Sequence, residues 1–258
     1  KQLALWRREN VYELAFLVLF WGLVFVAVTL AFGAEFKLDL VHAWPTMLAR
    51  LILEMIMIYS IAEATIQADR STIGFMRLIT IPFMLVVDVA LGYKISTLQF
   101  AGIGLMFIAL VAAFHRTKTS SRGAGLAALS GFVGVGTVSL YKYDITHYNS
   151  VAAEQIVVLS CAVVITYVVA ALHARRSPWR LLYHPTTGTQ ALANGIAVAL
   201  ESFAYSLAPA SLVMTYKRSF ALLWSFVFGS VRFHEHSWRR KLTAAALMLV
   251  SVVLLTQS

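Results

Sequence analysis

The sequence predicts an all-α polytopic membrane protein, and three observations predict it. Hydrophobic residues make up 60% of the 258 positions and charged residues only 13%, with a mean hydropathy of +0.77. A soluble domain carries roughly twice that share of charge. Uncharged runs recur at 14–34, 95–114, 123–141, 155–172 and 242–258. Each meets or approaches the roughly 17–25 apolar residues that cross a bilayer core. Lysine and arginine gather in the connections between runs, as lipid headgroups and the positive-inside rule favour.

Taken in chain order, helices are expected at 11–32, 45–66, 72–91, 97–114, 124–141, 151–172, 189–208, 212–231 and 242–256. Five of these coincide with the uncharged runs. The other four, 45–66, 72–91, 189–208 and 212–231, are apolar stretches that carry one to three charges inside. The last of the four is distinctive. Lys217 and Arg218 stand side by side, with no charge from Ser202 to Tyr216 or from Ser219 to Val231. Ionisable groups at membrane depth cost several kcal/mol unless they face a cavity or a partner, so the pair is a functional candidate.

Shifting the chain by 141 residues makes landmarks coincide. Glu13 meets Glu154 at the start of one helix, Arg77 meets Arg218 inside another, and Ser96 meets Ser237 before the last helix of each half. The expectation is a first repeat over 1–118 and a second over 119–258, together one transport domain. The second repeat holds five helices, and its first, 124–141, has no partner downstream of residue 1. A tenth helix is therefore expected to be missing at the N-terminus, where the chain begins with Lys1. Repeats of five helices would be inverted relative to each other, a recurrent plan of secondary transporters. Under the nine-span reading, fourteen Lys and Arg of the connections fall on the side of the N-terminus. Only Lys37, Lys94 and Lys142 fall on the other. That asymmetry makes the first side cytoplasmic and puts the C-terminus outside.

Ala208-Pro209-Ala210-Ser211, Tyr216-Lys217-Arg218-Ser219, Phe228-Gly229 and Phe233-His234-Glu235 lead in that order into the small-residue helix at 242–255. This succession resembles the second half of EamA-like proteins of the drug/metabolite transporter superfamily. The stretch 66–114 follows the same plan more loosely, with Tyr93-Lys94 where a glycine-glutamate motif would end. The resemblance implies ten helices, both termini cytoplasmic, and a central cavity lined by helices one, three, four, six, eight and nine. The charge count puts this C-terminus outside instead. Either the chain is inverted relative to such proteins, or the missing segment alters its topology. The location implied is a bacterial or archaeal cell membrane.

Within the spans, Arg50 and Glu54 are four apart and are expected to pair along one helix face. Glu63 and Arg77 in the first half mirror Glu201 and Lys217/Arg218 in the second: an acid late in one helix, a base early in the next. Read functionally, these form two opposed charged sites around a cavity. The bases would draw an anionic group, helped by nearby helix N-termini, and the acids would carry protons or release the bases. Read structurally, Glu63–Arg77 and Glu201–Arg218 are permanent ion pairs, with Asp88 as another partner. The expected substrate-binding residues are Lys217, Arg218, Glu201, Arg77, Glu63 and Tyr205. Gly131, Gly134 and Gly136 give one helix a small-residue face for close packing. Tyr141-Lys142-Tyr143-Asp144 reads as an interfacial anchor, and Cys161 as a small packing residue.

Chemistry of other kinds finds little support. The one cysteine permits no intrachain disulfide, and the seven histidines lie in connections without a carboxylate or cysteine cluster. No hydrolase elbow, phosphate-cradling glycine loop or zinc-protease motif occurs. No cofactor, metal or catalytic residue is expected, and the net charge of +9 is spread over connections rather than gathered for nucleic acid. The expected function is secondary transport of a small polar metabolite, amino-acid-like or anionic, by alternating access, with efflux included. The Lys-Arg pair is similar to the dibasic pair of sugar-phosphate translocators. Expected partners are the substrate, membrane lipids, a proton or counter-solute, and a second copy of the chain. A membrane subunit that has lost transport, and a membrane enzyme acting on lipid-linked or phosphorylated substrates, are the alternatives.

Overall fold

A computed structural model of the chain describes residues 2–68, 73, 76–77, 80–92, 94, 96–114, 121–174, 177–218, 220–221, 246–247, 250–251 and 253–254. All regular structure among them is helical. The main helices are α1 (Gln2–Ala31), α2 (Leu40–Gln67), α3 (Thr80–Ala90), α4 (Thr97–Phe114), α5 (Ser121–His147), α6 (Val151–Ala174), α7 (Pro185–Leu207) and α8 (210–218). A six-residue 3-10 turn, Pro178–Tyr183, leads into α7. Val11–Ala31, Arg122–His147 and Val151–Ala174 are long and apolar enough to cross a membrane. The expected spans 212–231 and 242–256 fall largely outside the described residues, as does the expected repeat boundary at 118/119.

Local chemistry sets the helix ends. At the end of α1, Gly33 adopts φ +88, a left-handed conformation that glycine takes without a Cβ penalty. There Ala34 N–H donates to Thr29 O at 3.0 Å, satisfying a terminal carbonyl. Asp39 caps α2 by accepting from His42 N–H at 3.2 Å. Ser96 and Gln99 form a reciprocal capping box at α4: Ser96 N–H donates to Gln99 Oε1 at 3.1 Å, and Gln99 N–H to Ser96 Oγ at 3.2 Å. Pro185 opens α7 at its first position, where its missing N–H costs nothing. Pro209 ends it by forcing Ala208 into an extended conformation, φ −143 and ψ 161.

Packing is most extensive between α2 and α5, and between α1 and the pair α6 and α7. Small residues permit the close crossings. A Cβ on Gly195 would lie 2.4 Å from Trp21 Cβ, so α7 meets the α1 backbone directly. Gly136 faces Leu53 and Gly134 faces Met57, the close α5–α2 approach expected of that small-residue face. The connection before α2 is tied to the one before α6. Lys37 N–H donates to Ser150 Oγ at 3.0 Å, and Asp39 N–H to Asn149 Oδ1 at 2.7 Å.

The distribution of polarity is inverted relative to a water-soluble fold. Glu13, Arg50, Asp88, Lys142, Asp144, Glu154 and Gln155 are buried, while Val41, Phe100, Val164, Leu172 and Leu200 are exposed. An apolar exterior around buried charge is what lipid solvation favours. One expectation fails here. Tyr141, Lys142 and Asp144 are not an interfacial anchor but interior groups, because α5 continues six residues past the expected end at 141. Cys161 also differs from its expected packing role: it lies exposed on α6.

Two outcomes are expected. Gly195→Ala should lower stability by about 1–3 kcal/mol through overpacking against Trp21. Gly104→Ala, whose Cβ meets open space, should raise it by about 0.5–1 kcal/mol; thermal unfolding in detergent measures both. The second concerns Asp39, whose carboxyl His42 holds below the usual carboxylate range through its ring and backbone N–H. A depressed carboxyl stabilises above its unfolded pKa and loses that contribution as pH falls through its folded one. Exchange protection of the His42 amide should therefore drop only below about pH 4. The step should vanish in Asp39→Asn, which caps without titrating.

Candidate functional site

Ionisable groups of α2, α7 and α8, with polar groups of α5 and α6, line one cavity of about 170 Å³. α2 contributes Arg50 and Glu54, α5 contributes Thr137 and Tyr141, and α6 contributes Gln155. Glu201 and Tyr205 come from α7, and Lys217 and Arg218 from α8. Arg77, just ahead of α3, completes the set. Five of the six expected substrate-binding residues therefore share one space: Lys217, Arg218, Glu201, Arg77 and Tyr205. Glu63 does not. It lies about 14 Å further along α2 than Glu54, where it accepts from Tyr12 Oη at 3.1 Å and from Gln67 Nε2 at 2.9 Å. Among the described residues the charges thus form one cluster rather than two opposed ones.

The pairings differ from those expected along the sequence. Arg50 does not close on Glu54. Its Nη1 pairs with buried Glu154 of α6, and its guanidinium lies 4.4 Å from the centre of the Tyr141 ring. Glu201 pairs with Lys217 rather than Arg218. Lys217 Nζ donates to Glu201 Oε2 at 2.5 Å, and Tyr205 Oη donates to Glu201 Oε1 at 2.8 Å. The remaining groups are uncommitted. Arg77 Nε, Arg218 Nε and Nη2, and Gln155 Oε1 are buried and have no hydrogen-bond partner among the described residues. Glu54 makes no hydrogen bond or ion pair among the described residues.

Magnitudes separate the two ion pairs. Breaking a buried pair by removing one partner costs about 3–5 kcal/mol, because a charge is left uncompensated. Arg50–Glu154, with side chains 7% and 0% exposed, is of that kind and serves to join α2 to α6. The Lys217 side chain is 47% exposed. The Glu201 side chain is 19% exposed, so this pair opens on its lysine side, where an anionic ligand can reach the ammonium. Of the dibasic pair, Lys217 is paired with Glu201 and Arg218 has no ion-pair partner among the described residues.

The turn that carries this cluster is held from both sides. At 0% exposure, Asp88 of α3 accepts from Ala210 N–H at 3.2 Å and from Ser211 N–H at 2.6 Å, capping the N-terminus of α8. Buried Lys142 of α5 donates to the carbonyls of Tyr205 and, at 3.0 Å, Ala208 at the C-terminus of α7. A carboxylate on the positive end and an ammonium on the negative end both match the helix dipoles. Tyr141 Oη adds a bond to Ser202 O at 2.9 Å. Asp88 is therefore a backbone cap and not the counter-charge of Arg218, and it already occupies the helix N-terminus expected to help bind an anion.

Sequence reading missed four participants: Glu54, Gln155, Tyr141 and Lys142. The signal for Lys142 was present, since it is one of only three basic residues on its side of the nine-span plan. Gln155 follows a carboxylate inside an otherwise apolar run, which is itself a polar pair at membrane depth. No protein-family model and no curated protein matches the chain.

Asp88→Ala should destabilise the fold by about 1–3 kcal/mol for each of the two N–H groups it orphans. Asp88→Asn, which keeps one acceptor, should fall between this and the unsubstituted chain. Detergent unfolding curves check the order, and faster amide exchange at Ser211 in both variants locates the damage.

Proposed function

We propose that the chain is a secondary transporter that moves a small polar solute, amino-acid-like or anionic, across a membrane by alternating access. One observation carries the reading: a charged cavity with uncommitted guanidinium donors lies inside a helical bundle with an apolar exterior. Unpaired charge at membrane depth is retained where it meets a solute or an ion. Glu201 holds Lys217 when no ligand does, and an incoming anionic group competes for the same ammonium while adding Arg77 and Arg218. Tyr205 keeps Glu201 oriented as Lys217 leaves it.

The nine-helix count, the inverted five-helix repeat and membership of the EamA-like family belong to this proposal. Helical residues occur within each of the nine expected spans, which supports it. Helices α2, α5, α7 and α8 of the cavity correspond to the third, sixth, eighth and ninth helices that the family plan assigns to a cavity. The segment holding Arg77 corresponds to the fourth.

Uptake by proteoliposomes, screened over labelled amino acids, carboxylates and phosphorylated solutes, tests the reading. The Lys217→Ala/Arg218→Ala double variant should lose at least about tenfold in uptake of the transported solute, the scale of one lost charge-assisted contact. Unchanged transport of every substrate by that variant would remove the pair from the mechanism. Turnover without vectorial movement would point to an enzyme instead.

A further inference from the structure

We infer that the cavity selects a small monovalent oxyanion, and that Glu54 is the residue that sets this charge. The inference deepens the transporter reading and rests on it for treating the cavity as the ligand site. Its basis is the charge left over once committed groups are set aside. Arg50 is closed on Glu154, and Lys217 is matched by Glu201. Among the described lining residues two guanidiniums then remain with one carboxylate: Arg77 and Arg218 with Glu54. Arginine stays protonated in any such setting. With Glu54 ionised, the residual charge is a single positive one. Asp144, held by Thr46 Oγ1 at 2.6 Å, does not line the cavity and does not alter that balance.

An uncompensated charge in a low-dielectric site is costly in either direction. A monovalent anion brings the balance to zero. A dianion overshoots and meets Glu54, while a zwitterion leaves the positive charge in place. Hydrogen bonding agrees with this. The free donors of Arg77 and Arg218 suit a carboxylate-like oxyanion, for which guanidinium geometry is matched. The free Gln155 Oε1 suits a hydroxyl on the same ligand. The cavity is small, about 170 Å³. It lies below the roughly 300 Å³ at which pockets for drug-sized ligands begin.

Three probes of similar size and different charge at neutral pH test the inference: lactate with one negative charge, alanine with none net, and malonate with two. Ligand-dependent thermal stabilisation of the full chain in detergent reports apparent affinity without requiring transport. Lactate should bind the unsubstituted protein at least about tenfold more tightly than malonate or alanine. Glu54→Gln should bring malonate to or above the affinity of lactate, whereas Glu54→Asp should keep the original order. Arg77→Gln, which removes one positive charge and leaves Glu54 intact, should favour alanine over lactate. Equal or better protection of the unsubstituted protein by malonate, an order unchanged by both Glu54→Gln and Arg77→Gln, or no protection by lactate would each overturn the assignment. Uptake of labelled lactate by vesicles separates the two claims. Protection by lactate without uptake retires the transporter reading and keeps the charge rule, and uptake that prefers malonate retires the charge rule alone.

Discussion

The break between α7 and α8 is the constraint on which the rest of the structure depends. A buried turn between two helices leaves carbonyls and N–H groups that need partners within the protein, each costing several kcal/mol if unpaired. Here Lys142 takes the carbonyls of one end and Asp88 the N–H groups of the other. The turn at Pro209 is thereby fixed, with Glu201 and Tyr205 on one arm and Lys217 and Arg218 on the next. Because the clamping groups come from α3 and α5, the geometry of the charged cluster is set by elements that are not neighbours in sequence.

From that constraint the division of labour among charges follows. Fully buried pairs are costly to open and act as rivets, as Arg50–Glu154 does between α2 and α6. The Lys217–Glu201 pair, 47% and 19% exposed, is more open than Arg50–Glu154 and lines the cavity, where a ligand can reach it. Arg77, Arg218 and Glu54 lie between these extremes, held in place by their backbones and matched by no partner among the described residues. A bundle designed only for stability would have paired or removed them. Their place at the cavity is the observation on which the proposed solute reading rests.

Much of the fold was legible because the relevant forces are local or periodic. The helix expected at 97–114, inside the uncharged run 95–114, coincides with α4, and Ser96 with Gln99 explains its start. The start of α6 at Val151 was equally plain. The end of α5 was not, since Tyr141, Lys142 and Asp144 look like an interfacial break until they are seen buried against α2 and α7. The candidate site was legible in its members more than in its pairings. Lys217, Arg218, Glu201, Arg77 and Tyr205 stood out as polar groups in apolar stretches, but so did Glu63, which the fold sends to Tyr12 and Gln67 instead.

By itself the sequence determined that the chain is helical, that its exterior is apolar, and which ionisable residues lie among apolar ones, because hydropathy and periodicity are properties of the chain alone. Only the tertiary structure decided which of those charges neutralise one another. Arg50 chose Glu154 over the nearer Glu54, and Lys217 rather than Arg218 took Glu201. Those choices depend on distances across helices and on burial, and at low dielectric a small change in either outweighs any preference that spacing along one helix can express.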